Sequence, residues 1–223
     1  MSTRANGDLS QSEEFMQKET PFIQQRGIQP NEFILMNQVH EANIRLVSKK
    51  QIGKRIPGTD AVVTQTKNLF LGVKTADCVP LFFYDPEKHA IGVTHAGWKG
   101  THAKIAIRTV RKLQDIGSDP KQIRVAIGPH IGGCCYVVQT DRAELFKQIF
   151  ADERVTYFTE GNWHLDLGLA NKKQLQESGV IESQIDAPIA CSSCQVDQFY
   201  SNRKEGVKAG RMLGIIGIKS YLL

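Results

Sequence analysis

Between residues 33 and 97 the chain runs through six short apolar segments: FILMNQVH, ANIRLVS, DAVVTQ, LFLGVKTADC, VPLFFYDP and AIGVTHAG. Turn formers such as Asp85-Pro86 separate them. Runs of this length, rich in Val, Ile, Phe and Thr and punctuated by Gly, Pro and Asp, read as β-strands. So many strands in succession need their sheet faces covered, and the rest of the chain supplies the cover. Over 101–116, Ala103, Ala106, Ile107, Val110 and Leu113 recur at helical spacing opposite a charged face. The pattern predicts an amphipathic helix with Thr101 as its N-cap. IRVAIGPHIG (123–132) reads as a further strand, Thr140-Asp141 opens a helix to about residue 151, and 166–180 is a helix closed by Gly179. RMLGIIGIKSYLL reads as a last buried strand. The fold class implied is mixed α/β layering.

The 223 residues, 41% hydrophobic, carry no linker rich in Pro, Gly and Ser and no charge block, so 1–223 is expected to be a single domain. A net charge of +5 favours small anionic ligands. Its basic residues fall in scattered pairs, with no zinc finger, RNP-type pattern or basic helix, which argues against nucleic acid as a partner. The start, MSTRANGDLSQSEEFMQKE, has no apolar core, and no apolar run reaches bilayer length, which argues against a membrane partner. Five cysteines do not make a disulfide framework, so a cytoplasmic protein with reduced thiols is expected.

Three of the strand-like runs end in metal-grade donors: His40 after ILMNQV, Cys78 after GVKTAD and His95 after IGVT. Two imidazoles and a thiolate suit Zn²⁺, and three protein ligands leave the fourth tetrahedral position open, as in catalytic sites. No local motif forces them together, and a buried Cys is also simply a small hydrophobe. Behind His95, Gly97-Trp98-Lys99-Gly100-Thr101 is either an anion-binding helix start, with Lys99 adding charge, or a plain strand-to-helix turn. Asp77 adjoins Cys78, so on a regular strand it faces away. It serves as a general acid or base where the chain bends; otherwise it bonds nearby backbone amides. Gln38 precedes a ligand and is a supporting partner or an ordinary sheet residue. Cys191 and Cys194 form an isolated CxxC, for which burial is the simpler account, and Cys134-Cys135, on alternating faces, send at most one thiol to any site.

NQVH, TADCVPLFFYDP, HAGWKG, GPHIGGCCYVV and FYSNRKEGVKAGRM resemble, in order, the motif blocks of the YfiH/laccase-domain family. That family was once called polyphenol oxidase and is now regarded as purine nucleoside phosphorylases with added deaminase activity. The resemblance implies an α-β-β-α layered sandwich with mixed sheets and one zinc held by His40, Cys78 and His95. It also makes Arg203, in the FYSxRRxG-like block, a candidate for phosphate or nucleoside, against a structural salt bridge. Departures cluster in 1–32: STRANGDLS stands where the family has TTRxGGVS, the following segment is shortened, and Arg4 is the candidate to replace the opening arginine. Lys99 stands for a usual arginine, keeping charge without the bidentate fork.

The leading expectation is therefore a zinc-dependent phosphorylase acting on adenosine, inosine, guanosine or methylthioadenosine with phosphate, together with adenosine deamination. A copper-dependent polyphenol oxidase is the alternative, since copper binds such donors tightly, although six histidines are few for a multinuclear copper cluster. A metal-free cysteine hydrolase with Cys78 as nucleophile is a further one. A conventional zinc deaminase needs H-x-E and P-C-x-x-C; here Ala190 precedes the CxxC and no His has Glu two positions on.

Overall fold

Each of the six apolar runs contains a strand, and the reason lies in which side of the pleat each residue occupies. The computed structural model describes residues 1–10, 17–187 and 190–219. In chain order it begins α1 (Thr20–Gln24), β1 (Phe33–Met36), β2 (Ile44–Leu46), β3 (Arg55–Ile56), β4 (Ala61–Thr64), β5 (Phe70–Thr75), β6 (Val79–Asp85) and β7 (Ala90–Ala96). It continues with α2 (Trp98–His102), α3 (Ile105–Gln114), β8 (Arg124–Ile127), β9 (Val137–Val138), α4 (Thr140–Lys147), β10 (Thr156–Thr159) and β11 (Asn162–Leu165). The C-terminal part holds α5 (Leu167–Glu177), β12 (Ile185–Asp186), α6 (Asn202–Glu205) and β13 (Met212–Gly217).

Two mixed sheets stack. One has the order β12-β8-β6-β7-β4-β2, the other β13-β5-β1-β3, and β10-β11-β9 forms a small third sheet. Alternation assigns the layers. Ile34 and Met36 of β1 meet Val62 of β4 and Ile91 and Val93 of β7 in the apolar layer between the large sheets. Their neighbours Phe33 and Leu35 point outward to Phe22 and Ile23 of α1. On the far side, Val63, Leu81 and Phe83 pack under Ala106, Val110 and Leu113 of α3 and Leu175 of α5. Helix, sheet, sheet, helix is the resulting order. On that outer face the Phe33 ring lies over the neighbouring strand, where a Cβ on Gly72 would stand 2.5 Å from Phe33 Cζ. No helix among the described residues is long and apolar enough to cross a membrane.

The single helix expected over 101–116 is instead two. Gly97 caps α2, and the chain breaks at Ala103 and at Lys104, which sits at φ 60. Thr101 is no N-cap. Buried Asn171 and Gln174 of α5 bond its hydroxyl (2.9 Å) and carbonyl (2.7 Å), holding the break in place. FILMNQVH is a strand only to Met36; Asn37 still donates to the Ile56 carbonyl (2.8 Å), and the chain then turns over 38–41. The β10-β11 hairpin turns at Glu160 and Gly161, both with positive φ, a signal the sequence reading passed over. Of the last run, residues 220–223 lie outside the described residues, as do 11–16 of the divergent N-terminal segment.

Phe83 is fully buried under α3. Phe83→Ala should cost about 3–5 kcal/mol, measured as a lower urea midpoint with an unchanged slope.

Candidate metal centre and its cavity

Strand pairing brings the three donors together. β1 and β5 run parallel, with Phe33 beside Phe70, so they end at the same edge. Beyond β5 the chain crosses from one large sheet to the other through Ala76, Asp77 and Cys78, and Asp77 takes φ 89 to make the bend. In the antiparallel β6-β7 pair, Val79 faces Ala96 and Pro80 faces His95, which sets the Cys78 thiol beside His95. The 37–41 loop folds over from β1 with His40 at φ 61.

A residue passed over in the sequence reading holds this loop. Asp60, fully buried just before β4, accepts the backbone N–H groups of Val39 (3.2 Å), His40 (2.9 Å) and Glu41 (2.9 Å). Its Oδ1 also accepts Nδ1–H of His95 at 2.8 Å. Burial pushes this carboxyl's pKa up, but the His95 bond and the amides outweigh it and keep the pKa below its ordinary value. With Nδ1 committed to Asp60, the other ring nitrogen of His95 is left for a metal, as in carboxylate–histidine–metal chains. The signal was an acidic residue in the turn GTDAVV, where Asp is also an ordinary turn former.

The ligand atoms of His40, Cys78 and His95 all lie within 4.8 Å of one another. The imidazole rings stand edge to face with centroids 4.6 Å apart. Gly97 closes the back of the site: a Cβ there would lie 3.2 Å from Cys78 Sγ and 3.5 Å from His40 Cδ2. Two imidazoles and one thiol, one imidazole braced by a carboxylate, fit a zinc-type ion in number and softness. Without metal the same groups form an ion pair. Burial opposes ionisation of Cys78, yet the positive charge on His95 and hydrogen bonds from both imidazoles bring its pKa down to about 6. Burial likewise opposes protonation of His95, and the Cys78 thiolate followed by Asp60 raises its pKa to about 9.

The donors open into a cavity of 680 Å³, with Met36, Ile131 and Leu167 on its apolar wall and Arg142, Arg203, Lys208 and Arg211 among its cations. Asp77 lines it, and both its oxygens are engaged, one by the Ser192 hydroxyl (2.7 Å) and one by the Arg203 amide (2.6 Å). Arg203 is anchored on the Val137 carbonyl (2.9 Å) with its guanidinium 5.0 Å from the Tyr136 ring centroid. Gln38 reaches the wall, but its amide clamps Lys74, donating to the Lys74 carbonyl (2.8 Å) and accepting its N–H (2.9 Å). Lys74 in turn pairs with buried Glu19.

Lys99 departs from expectation: it is exposed and outside the cavity wall. Arg142, from the first turn of α4, supplies that charge instead, lying 4.2 Å over Trp98 and 3.4 Å from the Tyr136 hydroxyl. Nothing in TDRAE marks it out. Arg4 does not stand in the cavity either; it pairs with Glu205 at 2.6 Å. The N-terminal segment reaches the cavity differently. Leu9 donates to the Arg211 carbonyl (3.0 Å) and Asp8 accepts the Arg211 amide (2.9 Å), which brings Asp8 and Ser10 to the rim. Cys134 and Cys135 do not alternate: the amides of Cys135 and Tyr136 both bond the Gly132 carbonyl, and the resulting turn aims both thiols at Cys191 and Cys194.

The fold is an α-β-β-α sandwich whose sheet ends gather two histidines and one cysteine able to hold a metal ion. The chain belongs to the family described as multi-copper polyphenol oxidoreductase laccase, whose model matches residues 5–219. It is 36% identical over 197 residues to purine nucleoside phosphorylase YlmD of Bacillus subtilis (strain 168), covering 84% of this chain and 71% of that protein. It is 30% identical over 197 residues to adenosine deaminase RL5 from an unknown prokaryotic organism, covering 84% and 75%. The crystal structure of the Bacillus licheniformis hypothetical protein YfiH superposes with a TM-score of 0.89 at 30% identity, covering 97% of this chain and 91% of that one.

In metal-free protein, ultraviolet thiolate absorbance should rise as the pH climbs through about 6. That step should be missing from Cys78→Ala. A Cys78 step near the ordinary value of 9.0 would contradict the ion pair.

Proposed function

We propose that the chain is a zinc-dependent purine nucleoside phosphorylase, converting adenosine, inosine, guanosine or methylthioadenosine and phosphate to free base and ribose 1-phosphate, with adenosine deamination in the same cavity. The carrying observation is the convergence of His40, Cys78 and His95 within 4.8 Å at a cavity walled by arginines. The relatives' names supply the substrate class.

In phosphorolysis a phosphate oxygen bonds to ribose C1′ while the C1′–N9 bond breaks, and its electron pair leaves on the purine, which takes up a proton. Zinc held by the three donors would supply a Lewis acid beside the reacting sugar. The chain's own residues do the rest. Arg203 and Arg142 offer planar forks matched to a phosphate dianion. Asp77 positions Arg203 through its backbone amide. Serving instead as acid or base would require it to release Ser192 or Arg203. Met36, Ile131 and Leu167 pack the sugar and base, as apolar walls do in small-ligand sites. Gln38 acts by bracing Lys74, and Lys99 contributes surface charge that steers the anion. The five free thiols suit one catalytic domain in a reducing, cytoplasmic setting.

Cys78, His95 and Asp60 also line up as thiolate, base and orienting carboxylate, the arrangement a cysteine hydrolase needs. Chelation separates the readings. On the zinc reading it abolishes release of base and ribose 1-phosphate from inosine, and added Zn²⁺ restores it. On the thiol reading activity survives chelation and falls to alkylation. Copper in freshly purified protein would favour an oxidase. Arg203→Ala should raise KM for phosphate about 10-fold or more with a smaller change for inosine, read from steady-state kinetics with each substrate varied; equal effects on both would contradict its assignment to phosphate.

A further inference from the structure

Four of the five cysteines take no part in the centre described above, and they gather in one place. Cys134 and Cys135 sit on the turn after Ile131; Cys191 and Cys194 form the CxxC before α6. All four sulfurs lie within 4.8 Å of one another. We propose that they bind a second metal ion, a structural Zn²⁺ held by four thiolates, which pins together the two loops that wall the cavity.

Distances favour a shared ion. Zinc 2.3 Å from each of four tetrahedral sulfurs sets the sulfurs about 3.8 Å apart. Here Cys134–Cys135 is 3.8 Å, Cys134–Cys194 3.6 Å and Cys135–Cys194 3.3 Å. The surroundings favour thiolates. Cys191 Sγ accepts the Gly132 amide at 3.2 Å, and the amides of Ser193 and Cys194 turn to the same sulfur. Such bonds offset the charge of a tetrathiolate and orient its ligands. Gly132 leaves the space, as Gly97 does at the first centre: a Cβ there would stand 3.3 Å from Cys134 Sγ. Cys134 and Cys194 are exposed, which a thiol without a partner seldom is and which gives an ion its entry. Of the metals a four-sulfur tetrahedron takes, zinc binds more tightly than ferrous iron. Binding releases the thiol protons to solvent and changes no oxidation state.

The position explains what the ion would do. Backbone bonds link the loops at His130 and Ser192, through Ala190 O to the His130 amide (3.2 Å) and His130 O to the Ser192 amide (2.8 Å). One loop carries Ile131 and Tyr136 to the cavity and the other leads to Arg203, while Ser192 holds Asp77. A metal closing a loop of this length removes much freedom from the unfolded chain.

Metal analysis of the full chain, purified without chelator, tests this whether or not it acts on nucleosides. The expected result is about two zinc ions per chain, with X-ray absorption giving an average of about 2.5 sulfurs per zinc, four at one ion and one at the other. The Cys134→Ser/Cys194→Ser double variant should lose one zinc and keep the other; should it fail to fold, the unmutated protein still decides. One zinc per chain with a single sulfur ligand would overturn the proposal. So would iron at the cluster, an intact mass two hydrogens light from a disulfide, or a double variant that keeps both zinc ions.

Discussion

A buried carboxylate with four N–H donors organises this molecule's chemistry. Asp60 joins the end of one sheet's strand to the ligand on the other: it fixes the 39–41 backbone by three amides and the His95 ring by a fourth bond. Unpaired, such a charge would be expensive to bury; fully bonded, it stays ionised. Its negative charge supports a metal in the loaded protein and an imidazolium without one. The 39–41 backbone has no strand pairing of its own, and the Asp60 carboxylate takes the place of a ladder in holding His40 in the left-handed conformation it adopts.

The sheets contribute by register. A one-residue slip of β6 against β7 would turn Cys78 away from His95, and also send Leu81 and Phe83 out of the helix-covered core. Burial of the apolar face and assembly of the metal centre are therefore enforced by the same pairing. This links stability to function more tightly than a site built on loops alone.

Much of this was legible in the residues because period and chemistry coincide there. Six of the first seven strands, all but β3, follow from the short apolar runs, and the three donors stand out as reactive residues closing those runs; β3 lies in a basic stretch with Gly and Pro that carries no strand signal. What escaped was decided at a distance. The break at Lys104 depends on Asn171 and Gln174, some seventy residues on. Arg142 reaches the cavity only because α4 packs beside Trp98. Lys99 looked placed by its neighbours, but the first turn of α2 points it to solvent. Cys134 and Cys135 alternate only on an extended chain, and Gly132 starts a tight turn there that sends both thiols to one side. Glu19 and Asp8 show that the shortened N-terminal segment keeps a role, one bracing Lys74 and the other Arg211.

Zinc affinity of Asp60→Asn, measured by competition with a chromogenic chelator, is the most direct test of this account. Asn keeps the size and accepts some of the same bonds but carries no charge. Its affinity should fall about 10–100-fold with the fold retained. An Asp60→Asn protein that binds zinc as tightly as the unmutated chain would show that the carboxylate does not organise the centre.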